Sequence, residues 1–287
     1  MAYDNFVPSL WAEGIERDLE RLCVFKEDCN TKYEGKVKKV GDSVRIFGVG
    51  KPTIHMLDRK NASGNLIDPE EVDDTSITLA INQIRYFNFL VGDFDEAQAI
   101  PGVMEALRQE ASEGLANEMD KYIASFATSN QIKKLFGNKP LKLTADKAVE
   151  GEINVLHAID AAAQALYEND VKDTTEIVLT VTPRFFTLFR RAYIGSDTNN
   201  SEMMKTGRAA QYGNIKIKQS NNVARSADGS VDHMMIRTKR AIAFANPLTS
   251  VEAYRPEKKF ADAVKGYSLF DAVEARPKEV IDINVTY

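Results

Sequence analysis

Few residues in this chain have the types and spacing that chemistry needs. His157 and Asp160 stand one helical turn apart, which suits an acid/base pair, although that spacing more often marks a solvated helix face. His55 and His233 are isolated from it and from each other, with no HxxxH or HxxE spacing. Cys23 and Cys29 do not form a CxxC. They read as a disulfide, half a metal site or two free thiols, and the compartment argument favours free thiols in a reducing cytoplasm. Asp58, Asp68, Asp73 and Asp74 cluster in a polar stretch, without the alternating ligands and closing Glu of a calcium loop. Gly48-Val49-Gly50 is followed by Pro52 instead of a helix, so it is no dinucleotide fingerprint, and neither a phosphate-binding GxxxxGK[ST] nor a GxSxG elbow occurs. Lys36-Lys38-Lys39 and Arg190-Arg191 are small basic clusters suited to salt bridges. The expectation is no catalytic residue, no cofactor and no metal.

Composition leads away from several other classes. The chain has 287 residues, enough for about two compact units. Its 37 basic and 42 acidic residues leave a net charge of −5. A dedicated nucleic-acid reader shows a basic surplus, whereas a mildly acidic wall can enclose nucleic acid without gripping it. The opening Met1-Ala2-Tyr3-Asp4-Asn5-Phe6 has no signal-peptide pattern, and no apolar run is long enough to span a bilayer.

The elements suggest contacts between chains in place of a pocket. Residues 1–33 read as an arm with a helix whose apolar positions are Leu10, Trp11, Ile15, Leu19 and Leu22. It docks either on its own domain or on a neighbour. Strand-like patterning follows in Val37–Val40 and Ser43–Phe47, then a polar stretch around residues 58–74 in which Leu66, Ile67 and Val72 are the clear hydrophobes. Ile77, Leu79 and Ile81 alternate with polar or small residues. Residues 34–90 therefore predict one long hairpin, and an isolated hairpin of that kind needs a partner surface. From Ile100 to Phe126, apolar residues recur every three or four positions. That pattern predicts a helix over about 95–128, ~50 Å long.

A second unit begins after Gly137-Asn138-Lys139-Pro140. An amphipathic helix is predicted around 153–166, a buried strand at Ile177–Val181, a helix starting at Pro183 and strands at 214–218, 234–236 and 241–244. The tail from Phe260 reads as extended and is expected to return beside the long helix.

Taken in order, several strings resemble the major capsid proteins of tailed bacteriophages with the HK97-type fold, especially the branch similar to the P22 coat protein. Asn5-Phe6-Val7-Pro8-Ser9-Leu10-Trp11 resembles that family's N-terminal arm. Tyr33-Glu34-Gly35 with Val40–Ile46 resembles the ascending strand of its extended E-loop. Ile81–Phe89 through Val91–Gln98 resembles the return strand and entry to the spine helix. Gly213–Ile217 with Ser220-Asn221-Asn222 is similar to the axial-domain strand and turn.

The resemblance implies an α+β fold with an N-arm (1–33), an E-loop hairpin (34–90), a spine helix and peripheral domain (91–150), a mixed α/β axial domain (151–255) and return strands of the peripheral domain (256–287). It implies a non-enzymatic subunit of an icosahedral virion shell, assembled in the host cytoplasm as hexamers and pentamers around double-stranded DNA. The chain starts at the arm, so a separate scaffolding protein is expected beside a portal, with no membrane partner. Candidate subunit-interface residues are Phe6, Trp11, Ile15, Lys60, Leu66, Ile67 and Val72. Lys60 has the position of the lysine through which some members crosslink, but no partner for it can be matched. Two readings stand beside this one: an encapsulin-type nanocompartment shell, and a cytoplasmic enzyme using His157 and Asp160.

Overall fold

A computed structural model describes residues 15, 18, 23–33, 43–49, 54, 74–92, 103–146, 149–172, 175–195, 211–258 and 261–287. Three sheets and three helices lie among them.

The predicted hairpin forms, in shorter bounds. β1 (Ser43–Val49) pairs antiparallel with β2 (Asp74–Ala80), in register from Ser43 opposite Ala80 to Val49 opposite Asp74. The second arm does not continue to residue 90 as expected. Ile81 is fully buried, and the Asn82 backbone N–H donates to the Asp271 carboxylate at 3.0 Å, which takes the chain out of the ladder. β3 (Gln83–Gly92) then belongs to another sheet. The hairpin base has its own small core, where Ile46, Leu79 and Ile81 pack with Ala243, Ala245 and Leu269.

The long helix α1 (Val103–Ser125) has 23 described residues, which run ~35 Å. The apolar period carries on through Phe126–Thr128, but those residues tighten into a 3₁₀ turn. There the Ser125 hydroxyl donates to the Tyr122 carbonyl at 2.6 Å and the Thr128 hydroxyl to the Ser125 carbonyl at 2.8 Å. Residues 95–102 of the predicted helix lie outside the described residues.

Beyond α1 come β4 (Lys133–Lys134), β5 (Leu141–Thr144) and β6 (Glu152–Asn154), with Gly137 at φ +58 in the turn after β4. Helix α2 (Val155–Glu168) starts where the Asn154 side chain accepts from the Leu156 N–H at 2.9 Å. β7 (Ile177–Val181) is buried at every position and leads into α3 (Pro183–Gly195), with Pro183 in the first turn as expected. β8 (Gln211–Tyr212), β9 (Ile215–Gln219), β10 (Ala224–Arg225), β11 (Asp232–Thr238), β12 (Ile242–Tyr254), β13 (Ala261–Glu274) and β14 (Val280–Thr286) complete the chain.

The large sheet runs β6-β5-β14-β11-β7-β9-β8, with β10 on β11 and β4 on β14. The second sheet runs β12-β13-β3. Chain order and sheet membership therefore interleave, which departs from the expected segmentation at three places. β4 and β5, from the expected spine segment, join the large sheet. β12, from the expected axial segment, joins the three-stranded sheet. Of the two tail strands, β13 returns beside α1 as expected, whereas β14 enters the middle of the large sheet. A bulge between Ala245 and Leu248 accommodates Pro247, which an edge strand such as β12 tolerates.

Candidate assembly surface

Among the described residues, the three-stranded sheet has one covered face and one bare face, and its sequence sets both. In β3, Gln83, Arg85, Phe87 and Phe89 alternate with Ile84, Tyr86, Asn88 and Leu90. The first set lies on the side of α1. There the β13 residues opposite it include Phe270 and Ser268, and Tyr122 of α1 packs edge-on against Phe270 at 5.7 Å. The Tyr122 hydroxyl donates to Asp271 at 2.5 Å, and burial with that bond pushes its ionisation well above the ordinary phenol range. Arg85 reaches Glu118 of α1 at 3.6 Å.

The second set is exposed. Register places Tyr267 opposite Tyr86, Lys265 opposite Asn88, Ser250 opposite Tyr267 and Glu252 opposite Lys265. Tyr86 is 79% exposed, Ile84 47%, Leu90 45%, Tyr267 39% and Tyr254 36%. Polar groups hold this surface in shape. Asn88 and Tyr254 exchange hydrogen bonds at 3.1 and 3.2 Å, and the Lys265 ammonium sits 2.9 Å from Glu252 and 5.2 Å from the Tyr254 ring centre. Aromatic residues with a wet end and an apolar body are the ones that anchor protein interfaces. Contiguous exposure of this kind marks a contact surface more often than scattered single hydrophobes do.

The structure sorts the expected sites. Ile15 is fully buried in the chain's own large core, which leaves its side chain no surface to offer a neighbour and corrects its assignment to the subunit interface. Phe6, Trp11, Lys60, Leu66, Ile67 and Val72 lie outside the described residues. His157 and Asp160 are both exposed on the outer face of α2, where the Asp160 carboxylate lies 3.4 Å from the Tyr212 hydroxyl. Open placement on a helix face does not make a catalytic pair. Cys23 and Cys29 are buried free thiols, and burial is the main cause that pushes Cys23 up to about 12.

Two things escaped sequence reasoning. One is the bare face itself, although the alternation Ile84, Tyr86, Asn88, Leu90 was a usable signal. The other is His233, which does have a partner: its Nδ1 meets Asp282 on the neighbouring strand at 2.8 Å.

No known family matches this sequence, and no curated protein does. Solved structures do match the fold. A structure from Mycobacterium phage Che8 superposes with a TM-score of 0.70 at 23% identity, over 91% of this chain and 90% of that chain. The capsid of cyanophage P-SCSP1u gives 0.68 at 13%, over 91% and 87%. A virus-like particle from Pyrococcus furiosus gives 0.57 at 11%, over 96% and 98%. The fold is therefore α+β and of the HK97 type seen in phage capsids.

Proposed function

We propose that this HK97-type chain is the major capsid subunit of a tailed bacterial virus, a structural protein and not an enzyme. Its copies assemble as hexamers and pentamers into an icosahedral virion shell around double-stranded DNA. The observation that carries the reading is that about nine tenths of the chain superposes on about nine tenths of chains from phage capsid structures. The bare tyrosine face supports it, since apolar burial contributes about 25 cal/mol per Å² when a copy covers such a surface. Asymmetric contacts of this kind close into rings when the rotation permits.

In this reading the three-stranded sheet with α1 is the peripheral domain, the large sheet with α2 and α3 is the axial domain, and β1 with β2 is the stem of the E-loop. Phe6, Trp11, Lys60, Leu66, Ile67 and Val72 contact neighbouring copies. Assembly takes place in the host cytoplasm with a separate scaffolding protein and a portal. The affinity to the P22-like branch belongs to the same proposal. The full-length chain, expressed with its scaffolding partner and imaged by electron microscopy, is expected to form closed shells. Monomers alone would overturn the reading. Removing residues 58–72 is expected to leave a folded subunit that assembles poorly.

A second reading keeps the shell and changes the cargo to that of an encapsulin-type compartment. The likeness to the Pyrococcus furiosus virus-like particle favours it, at a lower TM-score. Nucleic acid recovered from purified shells supports the virus; a co-purified enzyme supports the compartment.

A further inference from the structure

Two turns at one end of the large sheet lie side by side, and their exposed charges share one sign. Residues 239–241 join β11 to β12, and residues 275–279 join β13 to β14. The Arg276 N–H donates to the Ala241 carbonyl at 2.9 Å, which ties one turn to the other. The Asn169 side chain, at the end of α2, donates to the Lys278 carbonyl at 2.8 Å and braces the pair. Glu279 lies beneath, 8% exposed, and accepts from the Thr238 hydroxyl, from Arg240 Nε at 2.9 Å and from Arg276 Nη1 at 3.0 Å. One buried carboxylate therefore holds two guanidinium groups beside each other while both arginine side chains stay about half exposed. Each pairing uses one nitrogen of a group that carries several donors, so the rest of each fork is left for another acceptor.

Lys239 and Lys278, on the same two turns, are exposed, and among the described residues neither has an ion pair. Register places a further exposed lysine, Lys133 of β4, opposite Ile281. The carboxylates nearby are engaged or pushed toward neutrality. Glu27, which feels the Lys239 charge, is bound by Lys218 at 2.6 Å, and burial raises the Glu274 carboxyl above its ordinary range. Glu168 and Asp170 flank Asn169 and bound the patch on the α2 side. The two turns thus present four cations over one buried carboxylate, in a chain whose net charge is −5. Like charges this close repel one another in the free subunit, and an arriving polyanion relieves that repulsion. None of the large hydrophobic side chains exposed among the described residues lies on either turn, so the patch lacks the apolar anchors a protein partner uses. Guanidinium and ammonium groups suit phosphate oxygens, and duplex DNA presents one negative charge about every 1.7 Å of its length.

We infer that Lys239, Arg240, Arg276 and Lys278 form a contact site for the phosphate backbone of nucleic acid, with Glu279 as the residue that positions the two arginines. Charges of this kind fix a backbone in place and read no base sequence. The choice of DNA as the partner rests on the capsid reading above, whereas the chemistry of the site, recognition of phosphate oxygens, does not. The site gives an acidic chain one local grip on the polymer its shell encloses.

The full-length protein is titrated against a fluorescein-labelled DNA duplex of mixed sequence, and binding is read by fluorescence anisotropy over a salt series. Lys239→Gln with Lys278→Gln breaks no side-chain bond described above, so the fold is expected to be kept. The double variant is expected to bind about tenfold more weakly at low salt and to flatten the log–log salt slope by about 2, near 0.9 for each lost phosphate contact. Each single change is expected to give about half that slope change. Lys32→Gln with Lys139→Gln makes an equal charge change at exposed lysines elsewhere and is expected to leave affinity and slope nearly unchanged. A duplex that does not bind, a double variant that binds like the unaltered protein, or an equal loss in the control overturns the site. Poly-glutamate that binds with the same dependence on the two lysines assigns the patch to an acidic protein segment and overturns the nucleic-acid partner. Inorganic phosphate that displaces the duplex more than chloride does at equal ionic strength assigns it to free phosphate, with the same consequence. Electron microscopy of the same samples separates the two claims. Shells without lysine-dependent binding overturn the site alone, and lysine-dependent binding without shells supports the site while overturning the capsid reading.

Discussion

The His233 imidazole lies 2.8 Å from an Asp282 carboxylate oxygen, across the β11–β14 ladder in the middle of the large sheet. Asp282 is fully buried, and its second oxygen has no hydrogen-bond partner. Burial is the largest influence and holds its ionisation above the usual carboxylate range, against the opposing pull of His233.

The sign of the resulting pH dependence follows. A carboxyl raised in the folded state contributes its full stability below its unfolded pKa, about 3.9, and loses it as pH rises through the folded value. Asp282→Asn removes the ionisation and leaves an oxygen for His233. Relative to the unaltered protein, the variant is expected to gain of order 1 kcal/mol in urea unfolding at pH 8, with the gain fading toward pH 3. An equal difference at both pH values would show that Asp282 does not titrate through folding.

Glu279, in the turn just before β14, behaves oppositely. Burial pushes its carboxyl up, but bonds from Thr238, Arg240 at 2.9 Å and Arg276 at 3.0 Å outweigh that and lower it. Its contribution is present above the unfolded glutamate pKa, about 4.3, and lost as pH falls through the lower folded value. Both arginines are about half exposed, so solvent screens the pairs. Glu279→Gln is expected to cost about 1 kcal/mol at pH 7, with the deficit closing in acid. Chemical unfolding at pH 7 and pH 3 checks it.

Gly266 leaves room for a ring. A Cβ there would overlap the tip of the Phe87 ring and lie 3.1 Å from the Ser250 carbonyl oxygen. Phe87 stacks with Phe89 at 5.9 Å, which limits how far it can swing. Gly266→Ala is expected to destabilise by about 1–3 kcal/mol, and Phe87→Leu to recover part of that in the double variant. Additive losses in thermal unfolding would mean the two positions do not compete for space.

Tyr86 tests the bare face. Its side chain is largely solvated, so Tyr86→Asp is expected to change subunit stability by less than about 0.5 kcal/mol. If copies cover this face, a charge there weakens assembly by about 1.4 kcal/mol or more, a tenfold shift or greater in the association constant. Light scattering during shell formation reads the difference, and unchanged assembly would remove this face from the contact.

Much of this protein was legible in its residues. The three- and four-residue spacing marks α1, the amphipathic pattern around 153–166 marks α2, Pro183 marks the start of α3, and the alternation at Ile77–Ile81 marks one hairpin strand. These patterns are local because each reports which side of its own element a residue occupies. The ordered strings pointed to the fold that the superpositions then showed.

Tertiary structure alone decided which strands pair and which polar groups are buried. Asp282 and Asn284 alternate with Ile281, Ile283 and Val285, a pattern that reads as a solvated face, yet all five are buried. β14 sits inside the large sheet, and its outward side is set by contacts with segments far away in sequence. The same holds for Ile15 and for β3, whose partner β13 lies some 180 residues on. Period and capping are properties of neighbouring residues. Burial on the second face depends on where the rest of the chain returns, and no short window of sequence contains that information.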